Sequence, residues 1–101
     1  MIRTVSLFGM DFTAWEPSSK VWSQDGGVCL FARLPSDSKE VTVFYVGACD
    51  DLHGEFTAHW LWVEAAKLGA THMLAASIPA AATRELIANN LVRLLKPVLN
   101  R

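Results

Sequence analysis

Asp50, Asp51 and His53 stand within four positions of one another, close enough to suggest a divalent metal cluster. Carboxylates at a helix start followed by a solvated histidine explain the same spacing, because negative charge suits a helix N-terminus. The sequence is read that way. His59 and His72 have no glutamate at ligand spacing and are expected to be hydrogen-bonded scaffold residues. No short Cys/His pair resembles a zinc site, so no metal ligand is assigned. Cys29 and Cys49 are too few for a disulfide framework and are expected to be small buried hydrophobes. Tyr45 is the single tyrosine of the chain. Arg84, Arg93, Lys96 and Arg101 supply cations for an anionic partner, and Trp60 supplies an aromatic anchor.

These groups sit in a chain of 101 residues that is 51% hydrophobic and 19% charged. Such apolar content excludes a disordered or low-complexity chain, and the length supports one hydrophobic core. The formal net charge of −1 argues against a strongly basic nucleic-acid module. Charge is nonetheless uneven. Residues 1–70 hold five basic and nine acidic groups, whereas residues 71–101 hold four basic groups against Glu85. No basic segment precedes an apolar run at Met1, and no apolar stretch approaches the ~20 residues of a membrane span. A cytoplasmic location and no membrane contact are therefore expected.

The elements that must position the chemistry follow from periodicity and punctuation. Thr4, Val5, Ser6 and Leu7 alternate, a short strand signal within an N-terminal extension, 1–25, packed on the main domain. Val28–Leu34 and Val41–Val46 form β-rich runs joined by a polar loop around Pro35-Ser36-Asp37-Ser38, which predicts a wide hairpin. The second run has Val41, Val43 and Tyr45 on one face and Phe44 and Val46 on the other. It is expected to be a central strand covered on both sides. A short helix from Asp50 to His59 follows, weakened at Gly54, and then a second from about Trp60 to Leu68, closed by Gly69. Leu61, Trp62, Val63, Ala65, Ala66 and Leu68 make its apolar face, leaving Trp60 exposed.

Thr71–Ser77 is a third strand, and a long helix runs from near Pro79 to just before Pro97. Its apolar arc is Ile87, Ala88, Leu91, Val92, Leu94 and Leu95. Arg84 lies on that apolar side, an oddity in a helix otherwise neatly divided. The expected fold is α/β, a three-stranded mainly antiparallel sheet flanked by three helices.

This order, with Gly27-Val28-Cys29 opening one strand and Tyr45-Val46-Gly47 closing the next, resembles the GIY-YIG nuclease family. Asp50-Asp51-Leu52, His59, Gly69-Ala70-Thr71-His72, Arg84, Leu91, Val92, Pro97 and Asn100 extend the resemblance over 26–101. It implies a domain that cuts DNA phosphodiesters with one divalent metal, two tyrosines near the attacking water, an arginine on the phosphate and a glutamate on the metal.

Only Tyr45 matches those four roles. The first tyrosine position is Cys29, the arginine position is Glu55 and the glutamate position is Ala88. A methyl group binds no magnesium, and a carboxylate opposes a phosphate. Loss of one transition-state donor alone typically costs ~10²–10³ in rate. The resemblance thus implies a degenerate nuclease centre acting by binding to nucleic acid or protein, with Arg84, Arg93, Lys96 and Trp60 as contacts. No cofactor is expected. An active endonuclease remains the alternative, rebuilt around Arg33 or Arg84 with magnesium or manganese. Self-association through exposed aromatic residues is a further expectation.

Overall fold

The computed structural model describes residues 3–15, 26–34, 41–50 and 61–100. Strands β1 (Arg3–Leu7), β2 (Met10–Trp15), β3 (Gly27–Arg33), β4 (Thr42–Cys49) and β5 (His72–Ser77) form one sheet. Helix α1 (Leu61–Leu68) precedes β5, and α2 (Ala81–Leu95) follows it, with a 3₁₀ turn at Val98–Asn100. The sheet order is β1-β2-β5-β3-β4, and every neighbouring pair is antiparallel.

Five strands replace the expected three because the N-terminal segment joins the sheet. β1 and β2 turn back on each other through Phe8-Gly9, both with positive φ (56° and 75°). That is the conformation of a two-residue hairpin turn whose twist matches its strands. β2 then lies beside β5, with Thr13 opposite Ala75 and Ala14 opposite Leu74. Phe12 and Ala14 lose all solvent contact in doing so.

β2, β5 and β3 are the interior strands, and the alternation of β3 and β5 divides the core in two. Val28, Leu30, Ala32, Leu74 and Ala76 face one cluster with Phe12, Ala14, Val46, Ala88 and Leu91. Cys29, Phe31, Met73 and Ala75 face the other with Ala65 and Ala70. α2 therefore covers one face and α1 the other. A strand buried on both faces reads as a continuous apolar run, as β3 and β5 both do.

β4 is not the central strand its two apolar faces suggested: among the described residues it ends the sheet and pairs with β3 alone. Nor does it stop at Gly47, which pairs with Cys29 and is followed by Ala48 and Cys49. Its alternation breaks at a bulge, where Phe31 faces Tyr45 but Ala32 faces Val43. The extra residue, Phe44, puts Phe44 and Tyr45 on the α1 side while Val43 and Val46 pack on the α2 side. Val43 and Tyr45 thus lie on opposite faces, where strict alternation had joined them.

Both helices stop as their sequences foretold. Gly69, with φ at 115°, lets the Ala70 N–H reach Ala65 O at 2.9 Å and closes α1. Lys96 takes the left-handed conformation at the end of α2, and Pro97 follows, fully buried. The packed faces are narrower than expected. On α1 only Ala65 is buried, with Leu61 and Trp62 beside it, while Val63 and Leu68 are exposed. On α2, Ala88 and Leu91 are buried, but Leu94 is 72% exposed. Of the expected Asp50–His59 helix only Asp50 is described, as a bend after β4; Asp51, His53, Gly54, Glu55, His59 and also Trp60 lie outside the described residues.

Candidate functional site

β3 and β4 bring the two tyrosine positions of the GIY-YIG pattern to one face. Cys29 is fully buried there, and its register partner is Gly47. Tyr45, two residues before Gly47, folds its ring along the strand. A methyl group built on Gly47 would come within 2.6 Å of the Tyr45 hydroxyl and 2.9 Å of its ring. Glycine at 47 is therefore what lets the tyrosine lie flat. Its ring sits 5.2 Å from that of Phe31, and Trp62 meets Phe31 edge-on at 5.4 Å. Tyr45 is built into an aromatic stack that ties α1 to the sheet.

Ala88 is on the other side. It is 6% exposed and packs with Val28, Leu30 and Val46 in the α2 cluster. The sheet thus separates Ala88 from Cys29 and Tyr45. Among the described residues, no three His, Cys, Asp or Glu side chains come together. The divalent metal implied by the family resemblance does not fit the donors at these positions, which offer a thiol, a phenol and a methyl group.

Arg84 has a different position again. Its guanidinium is buried at the end of the sheet, over Gly26. Nη1 donates to Ile78 O at 3.3 Å and Pro79 O at 3.2 Å, and Nη2 pairs with Asp50. A methyl group on Gly26 would lie 2.1 Å from Arg84 Nη1, so this glycine makes the room. The arginine on the apolar side of α2 is thereby explained. It ties the first turn of the helix to the β5 end and to Asp50 after β4.

Arg93 and Lys96 remain exposed on the last turn of α2, with Arg93 donating to Asn90 Oδ1 at 2.6 Å. Leu86 and Leu94 are 59% and 72% exposed on the same helix, and Val98 is 45% exposed just beyond it. Residues 86, 90 and 94 recur at helical spacing, so the two leucines share a stripe with Asn90. The helical wheel places Leu94 in the apolar arc. Its wheel position borders the buried arc, and only packing separates the border from the centre.

Arg33 is exposed at the end of β3, distant along the strand from Gly26 and Arg84. Beside it, Thr71 Oγ1 accepts the Leu34 N–H at 3.0 Å and lies 2.8 Å from His72 Nδ1. This pair fixes the crossing from α1 into β5. A residue that sequence reasoning tied only to the closing motif, Asn100, proves structural. Its Oδ1 accepts from Val46 N–H and its Nδ2 donates to Val46 O, both at 2.8 Å. One amide side chain so completes the outer edge of β4 as a neighbouring strand would.

Comparison with protein-family models, curated proteins and solved structures gives no match. Among the described residues, no helix is long and apolar enough to cross a membrane.

Proposed function

We propose that the chain is a GIY-YIG-like domain without nuclease chemistry, acting as a binding module through the exposed face of α2. The observation that carries this reading is the fate of the matched positions. Cys29 and Ala88 are both packed into core, on opposite faces of the sheet. Neither presents a polar group to a phosphodiester.

The partner we favour is a protein with an acidic and apolar surface. Arg84, counted among the contacts on sequence, is buried and neutralised by Asp50, which leaves Arg93 and Lys96 as the described cations of α2. Two cations release few counterions from a nucleic acid, and such binding would be weak and salt-sensitive. Exposed Leu86, Leu94 and Val98 beside those cations suit a protein interface, where apolar anchors are ringed by polar groups.

The test compares wild type with Leu86→Glu/Leu94→Glu in partner capture, alongside fluorescence titration with duplex and single-stranded DNA at low salt. Loss of a captured protein in the variant, with no DNA binding by either chain, is expected. Tight DNA binding abolished by Arg93→Ala/Lys96→Ala would replace the protein reading with a nucleic-acid one.

A further inference from the structure

The sheet has two ends, and they are finished differently. At β4, the Asn100 amide occupies the N–H and C=O of Val46. At β1, the only described neighbour is β2. A bare strand edge is a template for another strand unless charge, proline or a bulge blunts it. β1, Arg-Thr-Val-Ser-Leu, holds no proline, carries its one charge at Arg3 on the end of the strand, and keeps an unbroken register with β2 from Arg3 to Leu7.

We infer that β1 is a self-association edge, and that its occupant is β1 of a second copy of this chain. The backbone fixes the register. A two-residue turn makes Leu7 and Met10 a hydrogen-bonded pair, and pairs alternate along an antiparallel ladder. Arg3, Val5 and Leu7 accordingly use their N–H and C=O groups on β2, while those of Thr4 and Ser6 point outwards.

An antiparallel partner centred on Val5 satisfies them all. Thr4 meets Ser6 of the second copy and Ser6 meets its Thr4, forming two hydrogen-bonded pairs about a twofold axis. At the axis the two Val5 residues form a non-bonded pair, the kind in which side chains approach most closely. Val5 is half-buried and already packs on the α2-side core, so the pairing continues that core across the axis. On the outer face, Thr4 and Ser6 are exposed; the Ser6 hydroxyl donates to Asp11 Oδ1 on β2 at 2.5 Å, which leaves its oxygen to accept from Thr4 of the second copy. With the β4 edge capped at Val46, this contact closes as a dimer instead of propagating as a fibre. It stands apart from the nuclease-scaffold reading and survives if that reading fails.

Sedimentation equilibrium over micromolar to near-millimolar protein tests it, together with hydrogen exchange at Thr4 and Ser6. Wild type is expected to move from 11.1 kDa towards twice that mass. The Thr4 and Ser6 amides are expected to gain at least tenfold protection over the same range. Thr4→Lys/Ser6→Lys places lysine opposite lysine and should hold the chain at monomer mass. Thr4→Glu/Ser6→Lys places opposite charges together and should restore the dimer. Circular dichroism matching wild type shows that both variants fold, and both alter only exposed side chains. Three results would overturn the inference: a wild type that stays monomeric throughout, a lysine pair that dimerises like wild type, or a dimer whose Thr4 and Ser6 amides exchange freely.

Discussion

Gly26→Ala should destabilise this protein, and its cost can be worked from the arginine above it. Gly26 does not have a left-handed φ, so the backbone itself accepts alanine. The obstacle is Arg84, whose Nη1 and Cζ would lie 2.1 and 2.7 Å from the new Cβ. The guanidinium must leave and give up its bonds to Ile78 O and Pro79 O. Hydrogen bonds to a charged group contribute roughly 1.5–3 kcal/mol each. At 3.3 and 3.2 Å these belong at the low end of that range. The ion pair adds little, because the Asp50 side chain is 93% exposed.

Hydration of the displaced group recovers part of the loss, giving about 2–3 kcal/mol. For a domain of this size that lowers Tm by roughly 8–24 °C. Urea unfolding followed by tryptophan fluorescence measures it, in wild type and in an Arg84→Met background. With no guanidinium to displace, the same methyl should cost about 1 kcal/mol or less, the remainder being crowding against Cys49 O at 3.0 Å. A Gly26→Ala change under about 0.5 kcal/mol, or equal costs in both backgrounds, would refute the cradle argument.

Other substitutions probe the remaining contacts. Asn100→Ala removes both bonds to Val46 and should cost about 1–2 kcal/mol by urea unfolding. Asn100→Asp should rescue little, because a carboxylate oxygen would then face Val46 O. Gly47→Ala should push Tyr45 off Phe31 and reduce the near-ultraviolet circular dichroism of the aromatic stack, with Tyr45→Ala removing the effect of the added methyl. Ala88→Glu, the change that would restore the family's metal carboxylate, places a charge in the α2-side core. It should destabilise by about 3 kcal/mol or more and create no activity.

What the sequence disclosed and what it hid have physical causes. β3, β5 and the ends of both described helices were legible because Gly69, Pro79 and Pro97 punctuate runs of clear period. Arg84 was legible as an oddity, though not as a clamp, since Asp50 and Gly26 are remote in sequence. The N-terminal hairpin was half hidden because Phe8 occupies a turn position where asparagine or aspartate would announce it. The bulge at Phe44 was hidden because an extra residue leaves composition unchanged while shifting every later side chain. The place of β4 at the sheet end was hidden too. Two apolar faces say that a strand is covered by helices, not which strands lie beside it.

The candidate site shows the same limit. Motif spacing located Cys29, Tyr45 and Ala88, but only the sheet reveals that it separates Ala88 from the other two. Exposed Leu94 was assigned inward because a helical wheel ranks directions and not contacts.

The proposed nuclease-like scaffold that does not cut is tested on plasmid DNA. Supercoiled plasmid is incubated with the purified chain and with its Tyr45→Phe variant, in magnesium and in manganese. Nicking no faster than in protein-free controls, for both proteins, is the predicted result. Metal-dependent cleavage by wild type that Tyr45→Phe abolishes would contradict it.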